Sequence, residues 1–310
     1  MDTQGFIKIQ VESIRDVIGS NKAISALSGG VDSSVTTVLA HKAIGENLQT
    51  IFIDDGLMRA GEPSAVKTAF GDLGIQVDIL ETQQEFFNAL KGLFDPEEKR
   101  KAFRNTFYSV FGRAVRESQA RFLVQGTIKA DVLETQGGIK TQHNILEQIG
   151  IDPEEGYGFK VVEPVKELFK PDVREVAEAL GLPEWIHQRM PFPGPGLATR
   201  VVGEVTPDRV ELVRHATVIV EEEIVPLKPF QAFAVLLNDK GTGVQDGERK
   251  FGHIIIIRSV ESENALTAEP TPVPWDILLK VSNRIITEIP DVVRVAYELT
   301  PKPPATIEYI

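Results

Sequence analysis

Through the first half of the chain, short apolar runs alternate with longer segments of helical spacing. Ala23–Leu27 is a mostly apolar run that stops at glycines. Ser33–Ile44 follows with Val35, Val38, Leu39 and Lys42 at helical spacing. Thr50–Ile53 predicts a second strand, closed by Asp54-Asp55-Gly56, and Glu62–Leu73 a second helix, stopped by Gly74. Ile75–Leu80 alternates as a third strand. Asp95-Pro96-Glu97-Glu98 predicts a helix start, with an N-cap acid, Pro at the first position and acids in the first turn; that helix runs to about Ser118. Arg121–Val124 and Val161–Val162 read as further strands, and Val173–Leu180 as a helix. Repeated strand-helix units predict an α/β fold, a parallel sheet with helices on both faces.

Pro191-Phe192-Pro193-Gly194-Pro195-Gly196 breaks this pattern, because such a run continues neither a helix nor a central strand. It sets an expected boundary, with one domain over 1–190 and a second over 191–310. Beyond it the order changes: helix Pro207–Val225, strands Ala232–Leu237 and His253–Ser259, helix Pro274–Glu288, strand Val292–Leu299. That order predicts a separate α+β domain.

Composition narrows the classes. The chain has 310 residues, 42% hydrophobic and 25% charged, which suits two soluble globular domains. No apolar run approaches the ~20 residues of a membrane span, and Met1–Gly5 lacks a signal peptide's basic and apolar regions. A cytoplasmic location is expected. The formal net charge of −12 leans against nucleic acid as a partner. There is no cysteine, so disulfides, thiolate metal sites and cysteine nucleophiles are excluded. Chemistry needing a catalytic cysteine must come from another chain.

The run Ser28-Gly29-Gly30-Val31-Asp32-Ser33-Ser34 sits between the first strand and the first long helix. Glycines let backbone approach an oxyanion, and a helix N-terminus presents free N–H groups. Asp32 beside phosphate suggests an intervening Mg²⁺; a plain strand-to-helix turn with a capping Asp is the alternative. No lysine follows the glycines, so the loop differs from the Walker type used for terminal phosphoryl transfer. It suits a released pyrophosphate instead.

Ser28–Ser33 resembles the signature of the PP-loop (N-type ATP pyrophosphatase) family, an adenine nucleotide alpha hydrolase-like fold. Further stretches resemble the GMP synthetase branch in family order: Asp54-Asp55-Gly56, Pro96–Lys101, Gln125-Gly126-Thr127-Ile128, Lys140 to Asn144, Glu163–Leu168, Pro191–Leu197 with Arg200, Val281–Arg284 and Lys302–Glu308. Size and ending resemble the separate ATP-pyrophosphatase subunit of archaea. The resemblance implies adenylation of the XMP 2-oxygen by ATP, release of pyrophosphate, and displacement of AMP by ammonia to give GMP. It implies Mg²⁺ with ATP, a glutamine amidotransferase on a separate chain, and a homodimer through the C-terminal domain.

It also implies roles for residues. Ser28, Gly29, Gly30, Val31, Asp32, Ser33 and Ser34 hold ATP and pyrophosphate, with Asp32 on Mg²⁺. Asp54, Gly56, Gln125, Gly126, Thr127 and Asp131 complete the ATP pocket. Asp32, Lys140 and His143 are the catalytic candidates. Arg100, Gln231, Asp246, Arg249, Lys302, Thr306, Ile307 and Glu308 match XMP-binding positions. The match departs from the family at Ala102-Phe103-Arg104, at Gln142 and Leu146-Glu147, in the order Asp246-Gly247, and at Ile310. Two other readings stand beside this one: a nucleotide-binding regulatory paralogue without turnover, and another amide-forming PP-loop enzyme such as NAD synthetase.

Overall fold

The computed structural model describes residues 1–136, 160–245 and 247–310. They form two compact units. The first comprises Met1–Asp54, Gly61–Thr82 and Thr106–Arg189; the second comprises Asp55–Ala60, Gln83–Asn105 and Met190–Ile310. The chain passes between them at Arg189/Met190, beside the Pro-Gly run, and two earlier stretches belong with the C-terminal unit.

The first unit carries a five-stranded parallel sheet: β1 (Ala23–Leu27), β2 (Leu48–Asp54), β3 (Val77–Glu81), β4 (Phe122–Val124) and β5 (Lys160–Val162), in the order β3-β2-β1-β4-β5. The helices along this part of the chain are α1 (Thr3–Ile18), α2 (Val31–Ile44), α3 (Glu62–Asp72), α4 (Gln83–Leu90), α5 (Pro96–Ser118), α6 (Lys129–Gln136), α7 (Lys170–Ala179) and α8 (Glu184–His187). Of these, α4 and the first turns of α5 belong to the second unit. The chain builds outward from β1 through α2 and α3, then returns to the other side of β1 for β4. With right-handed crossovers, the helices of the two halves cover opposite faces of the sheet.

Helix α2 is rich in Val and Thr, poor helix formers in isolation. Here packing decides. Val35, Thr36, Thr37, Val38, Leu39 and Ala40 are all buried, with α1 and α7 against the helix. Ser25 Oγ and Thr37 Oγ1 lie 2.6 Å apart, tying β1 to α2. The helix starts at Val31, two residues before the expected Ser33, so Asp32 stands in its first turn.

The second unit is α+β. A long hairpin joins β6 (Gln231–Gln245) to β7 (Glu248–Glu261); β8 (Glu269–Pro270) pairs antiparallel with β7, and β9 (Val292–Tyr297) pairs parallel with β7 as well. Helix α9 (Pro207–Ile224) packs on β6, and α10 (Trp275–Glu288) packs on α9 and β9. The core is mostly aliphatic, with Val213, Val220, Val235, Ile255, Ile257 and Ile285 buried around Phe233.

Candidate active site

In the order β3-β2-β1-β4-β5 the direction of winding reverses at β1 and β4. Open α/β sheets bind ligands in the crevice outside the carboxyl ends of strands at such a point. Those two ends carry Ser28-Gly29-Gly30 and Gln125-Gly126-Thr127.

The loop after β1 is held by its own hydroxyls. Ser33 Oγ accepts from the Ser28 N–H at 3.1 Å and lies 3.0 Å from Ser28 Oγ. Ser34 Oγ donates to the Gly30 carbonyl at 2.8 Å. Gly30 caps α2 and has no side chain to bond the first amides of the helix, so among the described residues its cap leaves them to a ligand or to solvent. Gly29 has φ +70, and a Cβ there would lie 2.1 Å from Glu62 Oε1 and 2.9 Å from Arg189 Nη1. Arg189 Nη1 donates to Glu62 Oε1 at 2.8 Å and also to the Gly29 carbonyl. Glu62 is only 4% exposed, so this pair clamps the loop from behind.

Asp32 is divided between two environments. Its Oδ2 accepts from Lys170 Nζ at 2.6 Å. Its Oδ1 is buried with no hydrogen-bond partner among the described residues. Lys170 opens α7 and is 138 residues away in sequence. Sequence reasoning missed Lys170, Glu62 and Arg189; Lys170 closely follows the Glu163–Leu168 stretch, which was its nearest signal.

At the end of β4, Gly126 packs on the first turn of α2: a Cβ there would lie 2.8 Å from both the Asp32 carbonyl carbon and the Ser33 nitrogen. Thr127 Oγ1 donates to Glu163 Oε1 at 2.5 Å, a tertiary bond between the chain after β4 and the chain after β5. Asp131 Oδ2 accepts from the Ile128 N–H at 3.2 Å, closing the start of α6. Asp54 ends β2, and its carbonyl accepts from the Thr82 N–H and hydroxyl, both at 3.0 Å. Gly56 falls in the second unit, where its carbonyl accepts from Arg214 Nη2 at 2.6 Å. Lys140, His143 and Asp246, with the departures at Gln142 and Leu146-Glu147, lie outside the described residues.

The second unit gathers some of the positions that match XMP binding. Glu308 Oε1 accepts from Arg200 Nη2 at 3.0 Å and Gln231 Nε2 at 2.5 Å, and its Oε2 accepts from Arg200 Nε at 3.1 Å. The Thr306 carbonyl accepts from Arg258 Nη2 at 3.0 Å, and Lys302 Nζ donates to the Ala265 carbonyl at 2.8 Å. Arg100 pairs with Glu97 one turn earlier on α5. The adjacent Lys99 is buried, and its Nζ donates to the Val201 carbonyl at 2.8 Å. Burial, reinforced by the nearby Arg209 guanidinium, pushes its ammonium down to about 8. This strut connects the helix turn bearing Arg100 to the residue after Arg200. Arg249 does not join the group. It lies near the hairpin tip, whereas Gln231 pairs with Val260 at the hairpin base.

Among the described residues no three His, Asp or Glu side chains cluster as a metal site, and no helix is long and apolar enough to cross a membrane. The first unit presents a helix-terminal anion cradle at the ligand position of a doubly wound sheet, with Asp32 Oδ1 lacking a hydrogen-bond partner among the described residues.

The family model for NAD synthase matches residues 4–198, and the model for the GMP synthase C terminal domain matches residues 220–309. The chain is 52% identical over 310 residues to a GMP synthase [glutamine-hydrolyzing] subunit of Archaeoglobus fulgidus, covering 100% of both. The same subunit from Methanopyrus kandleri and from Pyrococcus horikoshii is 48% identical over 319 residues and 49% over 312, covering 99% and 100% of each chain. Among solved structures it is similar to NH3-dependent NAD synthetase from Campylobacter jejuni in complex with the nitrate ion, at TM-score 0.48 and 18% identity, over 61% of this chain and 78% of that one. By class, then, the chain is one component of a nucleotide-dependent ligase. It belongs to the family of these archaeal GMP synthase [glutamine-hydrolyzing] subunits.

Proposed function

We propose that this protein converts XMP to GMP. The XMP 2-oxygen attacks the α-phosphorus of ATP, the α–β bridge breaks, and pyrophosphate leaves. Ammonia then adds at C2 of the adenylyl intermediate, AMP departs with the oxygen, and loss of a proton leaves GMP. The observation that carries this reading is the Ser28–Ser34 cradle with Asp32 in the first turn of α2, in a chain about half identical along its full length to archaeal GMP synthase subunits. No covalent nucleophile is required. The chain's contribution is to place two polyanions and stabilise developing charge, which suits a protein without cysteine.

In this scheme the free amides of α2 and the serine hydroxyls receive the departing pyrophosphate. Gly126 and Thr127 build the adjoining wall. Lys170 holds Asp32, and Lys140 and His143 are assigned to the phosphates by resemblance. Mg²⁺ fits the donor set: Asp32 Oδ1 is a buried acceptor without a partner among the described residues. Hard divalent ions are commonly bound by one or two carboxylates together with substrate phosphates. When bound with ATP, the ion neutralises phosphate charge.

Glutamine hydrolysis belongs to a separate amidotransferase chain in this reading, and the complex works in the cytoplasm. We assign a homodimer to the second unit, where Val244, Phe251 and Trp275 are 69%, 68% and 72% exposed. The match to the GMP synthase C terminal domain favours XMP over a nicotinate dinucleotide as acceptor. The test is turnover with XMP, ATP, Mg²⁺ and ammonium at alkaline pH, following AMP and GMP. Folded protein that forms no XMP-dependent AMP overturns the reading.

A further inference from the structure

The carboxylate of Glu308 is held by Gln231 and by Arg200, and Arg200 has no assigned purpose in the reaction. Arg200 is 1% exposed and grips Glu308 with two parallel bonds, Nη2 to Oε1 at 3.0 Å and Nε to Oε2 at 3.1 Å. Its guanidinium carbon stands 4.0 Å from the Phe233 ring centroid and 4.9 Å from that of Phe192. Arg59 lies on Phe192 too, at 4.3 Å, and Arg59 Nη2 donates to the Met190 carbonyl at 3.0 Å. The Arg200 side chain is thus fixed on its ring faces as well as through its fork. Gln231 Nε2 bonds both Glu308 Oε1 and the Pro191 carbonyl, at 2.5 and 3.2 Å.

A carboxylate oxygen has two in-plane lone pairs. On Oε1 both are taken, by Arg200 and Gln231. On Oε2 Arg200 takes one. The Thr199 hydroxyl lies 3.4 Å from Oε2 but 3.0 Å from the Gly196 carbonyl, and its single proton goes to the nearer acceptor. Among the described residues, one acceptor position on Glu308 therefore remains open. Arg200 Nη1, buried with no partner among the described residues, is a spare donor on the same guanidinium.

We propose that Arg200, aided by Gln231, is a positioning residue for substrate recognition. It fixes Glu308 so that one Oε2 lone pair is presented to a single O–H or N–H donor of the nucleotide bound by this unit. Gln231 then acts on XMP through Glu308 rather than by direct contact. The pocket selects a ligand with a neutral donor at that position, because a ligand offering an acceptor there meets a fixed anion. The inference rests on the XMP reading above.

Arg200→Lys keeps the charge but cannot form the two-bond fork. It is expected to raise KM for XMP by about tenfold or more, the cost of misplacing a charge-assisted hydrogen bond. KM for ATP should stay within about twofold and the melting midpoint within a few degrees. Glu308→Gln, of the same shape, should raise KM for XMP comparably. The Arg200→Lys/Glu308→Gln double variant should be no worse than Glu308→Gln alone. Additive losses, or an equal rise in KM for ATP, overturn the proposal. Should Arg200→Lys fail to fold, Glu308→Gln still decides, since an unchanged KM for XMP leaves nothing to be positioned. A wild-type protein without XMP turnover defeats the functional reading itself, whereas normal turnover with an unaffected Arg200→Lys defeats only this inference.

Discussion

Gly126 and Asp32 meet backbone to backbone: a Cβ on Gly126 would lie 2.8 Å from the Asp32 carbonyl carbon and 2.9 Å from its oxygen. The end of β4 thus rests on the first turn of α2, and the two strand ends beside the phosphate cradle are set by one missing side chain.

Gly126→Ala forces these backbones apart. The expected cost is about 1–3 kcal/mol of stability, as for overpacking elsewhere. KM for ATP should rise while XMP binding persists. Thermal melts and initial-rate kinetics check both.

Arg189→Met takes the guanidinium away from the buried Glu62 carboxylate. Breaking a buried pair from one side costs about 3–5 kcal/mol. The Gly29 carbonyl also loses a donor. A denaturant titration should show the loss, and KM for ATP should rise with it; an unchanged midpoint argues against the clamp.

Asp32→Ala should lower XMP-dependent AMP formation by at least about a hundredfold, the scale of losing one electrostatic stabiliser of a transition state. XMP binding measured by calorimetry should survive. Lys170→Met should reduce the same rate less, since Asp32 remains. Normal turnover in Asp32→Ala removes its assigned role.

Lys99 predicts a pH effect of defined sign. Its folded-state pKa of about 8 lies below its unfolded value of 10.5. Between these values the unfolded chain binds more protons, so this residue's contribution to stability rises with pH from about 8 to 10.5. Below pH 8 the buried ammonium is a constant penalty. Urea titrations at about pH 7.5 and 9.5 should show a pH-dependent difference between wild type and Lys99→Met, and a difference of the same size at both pH values contradicts the assignment.

Phe251→Glu tests the dimer surface. The substitution should leave the melting behaviour of the fold intact, because Phe251 is 68% exposed. Sedimentation should shift from a dimer to a monomer. A wild-type monomer refutes the assignment outright.

Much of the fold was legible because it follows local rules. The β1-loop-α2 segment was readable from an apolar run, two glycines and a helical period. The Asp95-Pro96 start fell within a residue of the observed α5. The hairpin was harder. The expected strands stop at Leu237 and start again at His253, yet Gly241, Gly243 and Gly252 lie inside β6 and β7. They are small because β9 runs close by: a Cβ on Gly252 would lie 2.3 Å from the Asp291 carbonyl oxygen, and one on Gly243 2.7 Å from Val293 Cβ. Helices α1 and α4 passed unnoticed; α1 buries only Ile14 and Ile18 fully, a thin apolar stripe. In the site, the loop announced itself, but its supports did not. Lys170, Arg189 and Glu62 find their partners across 127 to 160 residues of chain, and nothing local marks them.

The length of the hairpin limits how substrate positions can be shared. Arg249 lies eleven residues before Val260, the partner of Gln231. At ~3.3 Å per residue the two are on the order of 35 Å apart along the ribbon, farther than one mononucleotide reaches. If both serve XMP, they do so from different polypeptides. Complementation would then be possible: two inactive variants, one altered at Gln231 and one at Arg249, would regain partial activity when mixed, each supplying the residue the other lacks.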